Sequence, residues 1–247
     1  RLYLTQAGEY LLHHADAVLA ELDETKKHLA DAASAAQIRI GSNVSFGQSY
    51  LADIITSFRQ KYPDIPVLVT IQNSGSVEEL LLRNQLDFAI ADDLSDSESF
   101  HRRLLLSEDV VAACSPDCAF LPDIIPPESL SRIPLLLREK GSGSRTVTDQ
   151  LLRAYGVNAT IAAESISTQI LIEFALRGHG LLLLPRAVLA PYFSAGALVP
   201  VAIAGVSLSR SYYLVYHRSK FLTQSMRRFL AHLDKQWDTD TNAAFPK

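Results

Sequence analysis

The turn Gly141-Ser142-Gly143-Ser144-Arg145 holds more binding chemistry in five residues than any other stretch of the chain. Glycines let backbone approach a bound group, serine hydroxyls donate hydrogen bonds, and an arginine can meet an acid group in a bidentate fashion. The spacing is not that of a Walker phosphate loop, which ends in Lys-Ser/Thr. An ordinary helix start would use the same residues, with Ser142 or Ser144 satisfying the first amides. Ser167 and Thr168, ahead of a second helical pattern, form a similar pair. Catalytic signatures are missing. The seven histidines show neither H-x-x-x-H nor H-E-x-x-H spacing, there is no G-x-S-x-G elbow, and Cys114 and Cys118 lack redox-motif spacing. The residues therefore suggest reversible binding without a metal, a cofactor or catalysis, and the thiols are expected to be buried or incidental.

Around that turn the chain alternates strand and helix patterns. Ile38–Ile40, Val67–Ile71 and Phe88–Ala91 read as strands, separated by helices from about Gly47 to Lys61, stopped by Pro63, and from Val77 to Asn84. A second unit repeats the rhythm. Val110–Cys114, Leu135–Leu137, Ile161–Ala163 and Leu181–Leu184 are strand-like, with helices opening at the glycine-serine turn, at Ser167 and at Pro185. A late strand, Tyr212–Tyr216, precedes an amphipathic helix over Thr223–Trp237, and the tail 238–247 has no periodicity. Such alternation predicts parallel sheets covered by helices, and right-handed crossovers put the strand-to-helix turns on one edge, where ligands of open α/β sheets sit. Two such units imply a cleft between them.

Before the first strand, Thr5 to about Ala36 contains no proline. Leu4, Leu11, Val18, Thr25 and Ala32 lie on one heptad track, with Ala15, Leu22, Leu29 and Ala36 on the other. This predicts one long helix, N-capped by Thr5, with a seam for a partner chain.

With 247 residues, 48% of them hydrophobic and 20% charged, the chain can build substantial cores, which excludes fibrous and disordered classes. The net charge of -4 gives no global nucleic-acid footprint. Charge divides along the chain, however. Residues 1–100 hold 7 Lys and Arg against 15 Asp and Glu, while the rest hold 16 against 12, so the second unit is the better host for an anion. Two cysteines are too few for a disulfide framework. No apolar run approaches the roughly 18 residues of a membrane span, and no signal peptide opens the chain; a cytoplasmic location without membrane contact is expected.

The order of segments resembles a known family. Arg1-Leu2-Tyr3-Leu4-Thr5-Gln6-Ala7-Gly8 resembles the stretch leading from the wing into the linker helix of LysR-type transcriptional regulators. Ile38-Arg39-Ile40-Gly41, the run Phe58 to Pro63 and Leu86-Asp87-Phe88-Ala89-Ile90 resemble the first half of that family's effector-binding region, and Arg177-Gly178-His179-Gly180-Leu181 to Pro185 its second half. The resemblance implies a linker helix (residues 1–36) followed by a two-subdomain α/β fold of the type 2 periplasmic-binding-protein kind. Subdomain I would comprise 37–111 and 216–237, subdomain II 112–215, with crossovers near Asp109 to Ser115 and near Tyr212 to His217, and a frayed tail at 238–247. The family's DNA-binding head is not in the sequence, so a truncated or proteolysed regulator that binds no operator by itself is expected. The resemblance also implies a homodimer or homotetramer and a small effector between the subdomains, and the charge division makes an acid the expected effector. By spacing from Gly41 and Asp87, Ser45 and Ser74 match effector-contacting positions. They join Ser142, Gly143, Ser144, Arg145, Ser167 and Thr168 as candidate contacts. A free-standing solute-binding protein and a small-molecule enzyme on the same fold are the alternatives.

Overall fold

The computed structural model describes residues 5–31, 37–95, 98–118 and 122–236. The wing-like start at 1–4, the heptad positions Leu4, Ala32 and Ala36, and the tail 238–247 lie outside them. Helix α1 (Gln6–Asp31) opens where Thr5 Oγ1 accepts the Gly8 amide at 3.1 Å. Its 26 residues span about 39 Å. Leu11, Val18 and Leu22 on the two heptad tracks, with Leu12 and Leu19 beside them, are at least half exposed.

The first lobe forms from β1 (Ile38–Asn43), a helical stretch running through α2 (Val44–Phe46) and a π-turn (Gly47–Leu51) into α3 (Ala52–Lys61), then β2 (Val67–Gln72), α4 (Ser74–Leu82) and β3 (Phe88–Ala91). β1 lies parallel between β2 and β3. β3 is apolar and fully buried, and β1 is buried at every position but Arg39, as central parallel strands must be on both faces. Phe46, Phe58, Phe88, Tyr212 and Phe229 fill the core beneath them, each with no exposed surface. Fully burying such a side chain stabilises by about 1.5–3 kcal/mol.

Chain then crosses to the second lobe on β4 (Phe100–Cys114), which is ten residues longer at its start than its apolar end Val110–Cys114 suggests. The extra length carries His101, Arg102 and Arg103 and pairs antiparallel with β10 (Leu208–His217). The second lobe contains β5 (Ile124–Ile125), β6 (Leu135–Arg138), α5 (Gly143–Ala154), β7 (Ile161–Ser165), α6 (Thr168–Leu176), β8 (Leu181–Pro185), α7 (Arg186–Ser194) and β9 (Val199–Ile203). In β8 the four leucines alternate, with Leu181 and Leu183 in one core cluster and Leu182 and Leu184 in another, on opposite faces. Gly180 before it is fixed by close approach, since a Cβ there would stand 2.4 Å from the Pro134 carbonyl oxygen.

The strand order is β2-β1-β3-β10-β4-β8-β6-β7. β4 and β10 stand at the centre and belong to both lobes: Tyr213–Val215 of β10 pair with β3, while Val110–Ala113 of β4 pair with β8. Closing helix α8 (Gln224–Gln236) packs Met226, Phe229 and Leu233 into the first-lobe core. No described helix is long and apolar enough to cross a membrane.

Candidate functional site

The two parallel halves aim their carboxyl ends at each other. Asn43 is the last residue of β1, and its side chain accepts the Phe46 amide at 2.9 Å, capping the helix that follows. Asn73 does the same for Ser76 at the start of α4. Asp92 and Asp93 follow β3, the latter in the left-handed conformation at φ 51. From the second lobe, Arg138 ends β6, Ser142 caps α5 and Ser167 caps α6.

These groups meet across a shut cleft. The Gly75 amide donates to the Gly141 carbonyl at 3.4 Å, and Thr146 donates to Asp93 at 2.6 Å. The cavity left between Asn43, Ser45, Ser74, Arg138, Ser142 and Arg210 measures about 10 Å³, which holds one water at most. Its wall is strongly polar. Ser45 is 3% exposed, lines the space and makes no side-chain hydrogen bond to another described residue. Arg138, also 3% exposed, donates to Thr168 Oγ1 at 3.0 Å and to the Glu139 carboxylate at 2.9 and 3.1 Å.

Beside the cavity lies a buried ionic network. The Asp92 carboxylate accepts from Asn43 Nδ2 at 2.5 Å, Ser74 Oγ at 2.8 Å and Arg210 Nη1 at 2.9 Å. Arg210 also donates to Ser144 Oγ at 3.1 Å and to Glu108 at 3.1 Å, and it contacts the Tyr212 hydroxyl. Burial works against the Arg210 charge, but Asp92, Tyr212 and Glu108 outweigh it and raise its pKa. Burial also pushes the Tyr212 hydroxyl well above its ordinary pKa, so it stays protonated and donates to Glu108 at 2.5 Å.

The eight residues singled out by sequence fall into four groups. Ser45, Ser74, Ser142 and Gly143 line the cavity. Ser144 and Thr168 stand one bond behind it, holding Arg210 and Arg138. Ser167 caps α6 through the Ile170 amide. Arg145 points away: its guanidinium donates to Asp149 at 2.9 Å, Glu164 at 2.5 Å and the Arg138 carbonyl at 3.0 Å, tying α5 to β6 and β7. The cations at the cleft are instead Arg138 and Arg210. A lone arginine closing the apolar run Leu135–Leu137 was a usable signal for the first; nothing in the spacing marked Arg210 or Asp92.

A two-lobed α/β module with crossover strands and a polar pocket at the facing strand ends defines a class of small-molecule receptors. The description "LysR substrate binding domain" matches residues 32–238, and the chain belongs to that family as the effector-binding region of a LysR-type regulator. Among curated relatives it is 27% identical over 234 residues to the "Uncharacterized HTH-type transcriptional regulator YeiE" of Escherichia coli strain K12, covering 95% of this chain and 79% of that protein. Among solved structures, the Synechocystis PCC6803 CcmR regulatory domain in complex with 2-PG superposes with a TM-score of 0.74 at 20% identity, covering 83% of this chain and 98% of that one. The effector-binding domain of QuiR in complex with shikimate gives 0.73 at 14% identity, covering 84% and 99%. These likenesses show that the fold is of the type 2 periplasmic-binding-protein kind. The Escherichia coli relative and the activator CmpR of Synechocystis sp. PCC 6803 are transcriptional regulators by name.

Proposed function

We infer that this chain senses a small, acid-bearing metabolite between its lobes and passes the result to the oligomeric frame of a cytoplasmic transcription regulator. The observation that carries this reading is the small polar cavity at the starts of α4 and α5, lined by the buried Ser45 and walled by Arg138, Ser142 and Arg210. Helix starts and guanidinium groups both favour oxyanions. Two structurally similar proteins support it: one is in complex with shikimate, the other with 2-PG. The chain acts by binding rather than catalysis. A homodimer or homotetramer would form through α1, and a shift between two arrangements of the lobes would change the spacing of DNA-binding heads joined to it.

A thermal-shift series with sulfate, phosphate and shikimate tests the ligand class. A ligand at 100 times its dissociation constant adds about 2.7 kcal/mol, which raises the melting temperature of a chain this size by about 5 °C or more. Stabilisation by neutral or cationic compounds, with every acid inert, rejects the acid reading.

A further inference from the structure

The group that fills the centre of the shut cleft belongs to the chain itself. Asp92 is 2% exposed and comes from the first lobe, where Asn43 and Ser74 hold one of its oxygens. Its other oxygen meets Arg210, which also binds Ser144 of the second lobe. The carboxylate lies against Gly143, the first residue of α5; a Cβ on that glycine would stand 1.9 Å from Asp92 Oδ2. The Gly143 backbone has an ordinary negative φ, so nothing but this close approach calls for glycine. An anion therefore already sits at the positive end of α5 beside a buried guanidinium, in the chemistry an acid effector would seek. The remaining space of about 10 Å³ has no room for a second oxyanion.

We propose that Asp92 is a resident competitor for the effector's acid group: an oxyanion binds by taking its place at Gly143, Ser144 and Arg210, and binding opens the cleft rather than closing it. This rests on the acid-effector reading and extends it to how the site is regulated. When the lobes part, Asp92 stays with Asn43 and Ser74, and the start of α5 is released together with Ser144. The apparent affinity for an oxyanion is then its intrinsic affinity reduced by the fraction of molecules that are open. Weakening the Asp92 contact raises that fraction without adding any contact to the ligand.

Two variants and one distance test the proposal. Asp92→Asn removes the charge, and Gly143→Ala places a methyl where the carboxylate must lie. Spin labels at E79C on α4 and R153C on α5 occupy exposed positions on facing lobes, while Cys114 and Cys118 are buried. Without ligand, both variants should show longer label distances than the parent chain. Sulfate should lengthen the parent distance; Asp92→Asn should bind sulfate about tenfold more tightly, whereas Gly143→Ala, whose methyl occupies the place the oxyanion takes, should open the cleft and bind sulfate more weakly than Asp92→Asn. Ligand-free distances that coincide in all three proteins overturn the proposal, as does a distance that shortens on sulfate. Equal sulfate affinity in the parent chain and Asp92→Asn overturns it while leaving the acid reading intact. If no protein binds sulfate yet the variants open, the acid reading fails, the contact is a clasp only, and the competitor role is lost with it.

Discussion

At the residue scale, function and stability separate most clearly at Ser45 and Arg145. Among the described residues the Ser45 hydroxyl has no hydrogen bond to lose, so Ser45→Ala should change unfolding free energy by no more than about 0.5 kcal/mol in urea titration. The same change should weaken a bound acid effector by about 1 kcal/mol, the scale of a neutral hydrogen bond, as read by calorimetry. Arg145→Ala should behave in the opposite sense. Two of its acceptors, the Arg138 carbonyl and Glu164, hold α5 to β6 and β7, and it is 7% exposed, so stability should fall by about 1–3 kcal/mol; affinity would then follow only the loosening of Arg138. Direct loss of affinity without loss of stability would return Arg145 to the site. Spacing puts both residues near the ends of helices, and in the structure Ser45 lines the cavity. Spacing could not give the direction of Arg145, because a side chain at the third position of a helix can turn outward to a ligand or back along its own strand. The Glu164 partner that decides the matter lies 19 residues away.

At the element scale, the junction of α1 with the first lobe is an ionic clamp. Lys220, 8% exposed, meets Asp87 at 2.9 Å and Glu24 of α1 at 3.1 Å, and Asn84 donates to Glu24 at 2.7 Å. Arg39 pairs with Asp87 at 2.6 Å. Burial alone would raise the Asp87 pKa, but Arg39 and Lys220 outweigh it and hold the carboxyl below its ordinary range. A depressed folded pKa gives stability that is present above the unfolded value of about 3.9 and is lost as pH falls through the folded one. The parent chain should therefore lose stability more steeply than Asp87→Asn between pH 5 and 2, and the variant should be weaker by about 3 kcal/mol at pH 7, where it leaves buried cations underpaired. Parallel slopes in urea titrations across that range would remove Asp87 from the clamp. Most of the elements were legible in the alternation of apolar runs, since buried parallel strands are continuous and short. The first ten residues of β4 were not, because a strand that crosses between lobes carries His101, Arg102 and Arg103, two of which are only partly buried. β9 was hidden by Pro200, a residue that ordinarily argues against a strand.

At the scale of the whole molecule, β10 links the two places where this chain does something. Arg210 near its start holds Asp92 and Ser144 at the cleft, and the turn just beyond its end carries Lys220 to Glu24 of α1. A change in lobe spacing and a change in the seating of α1 are thus displacements at two ends of one short, hydrogen-bonded strand. The seam on α1 supplies the other requirement of such a device. Leu11 is 69% exposed, Val18 65% and Leu19 59%, more contiguous apolar surface than a helix keeps facing water without a partner. The partner expected there is α1 of a second copy, because the heptad spacing of Leu11, Val18 and Thr25 suits packing against a like helix. Val18→Asp should then shift the sedimentation profile toward monomer while leaving the lobes folded, since Val18 belongs to neither core. If the Val18→Asp chain sediments as the parent does, association runs through the lobes instead, and α1 cannot be the element that reads the cleft.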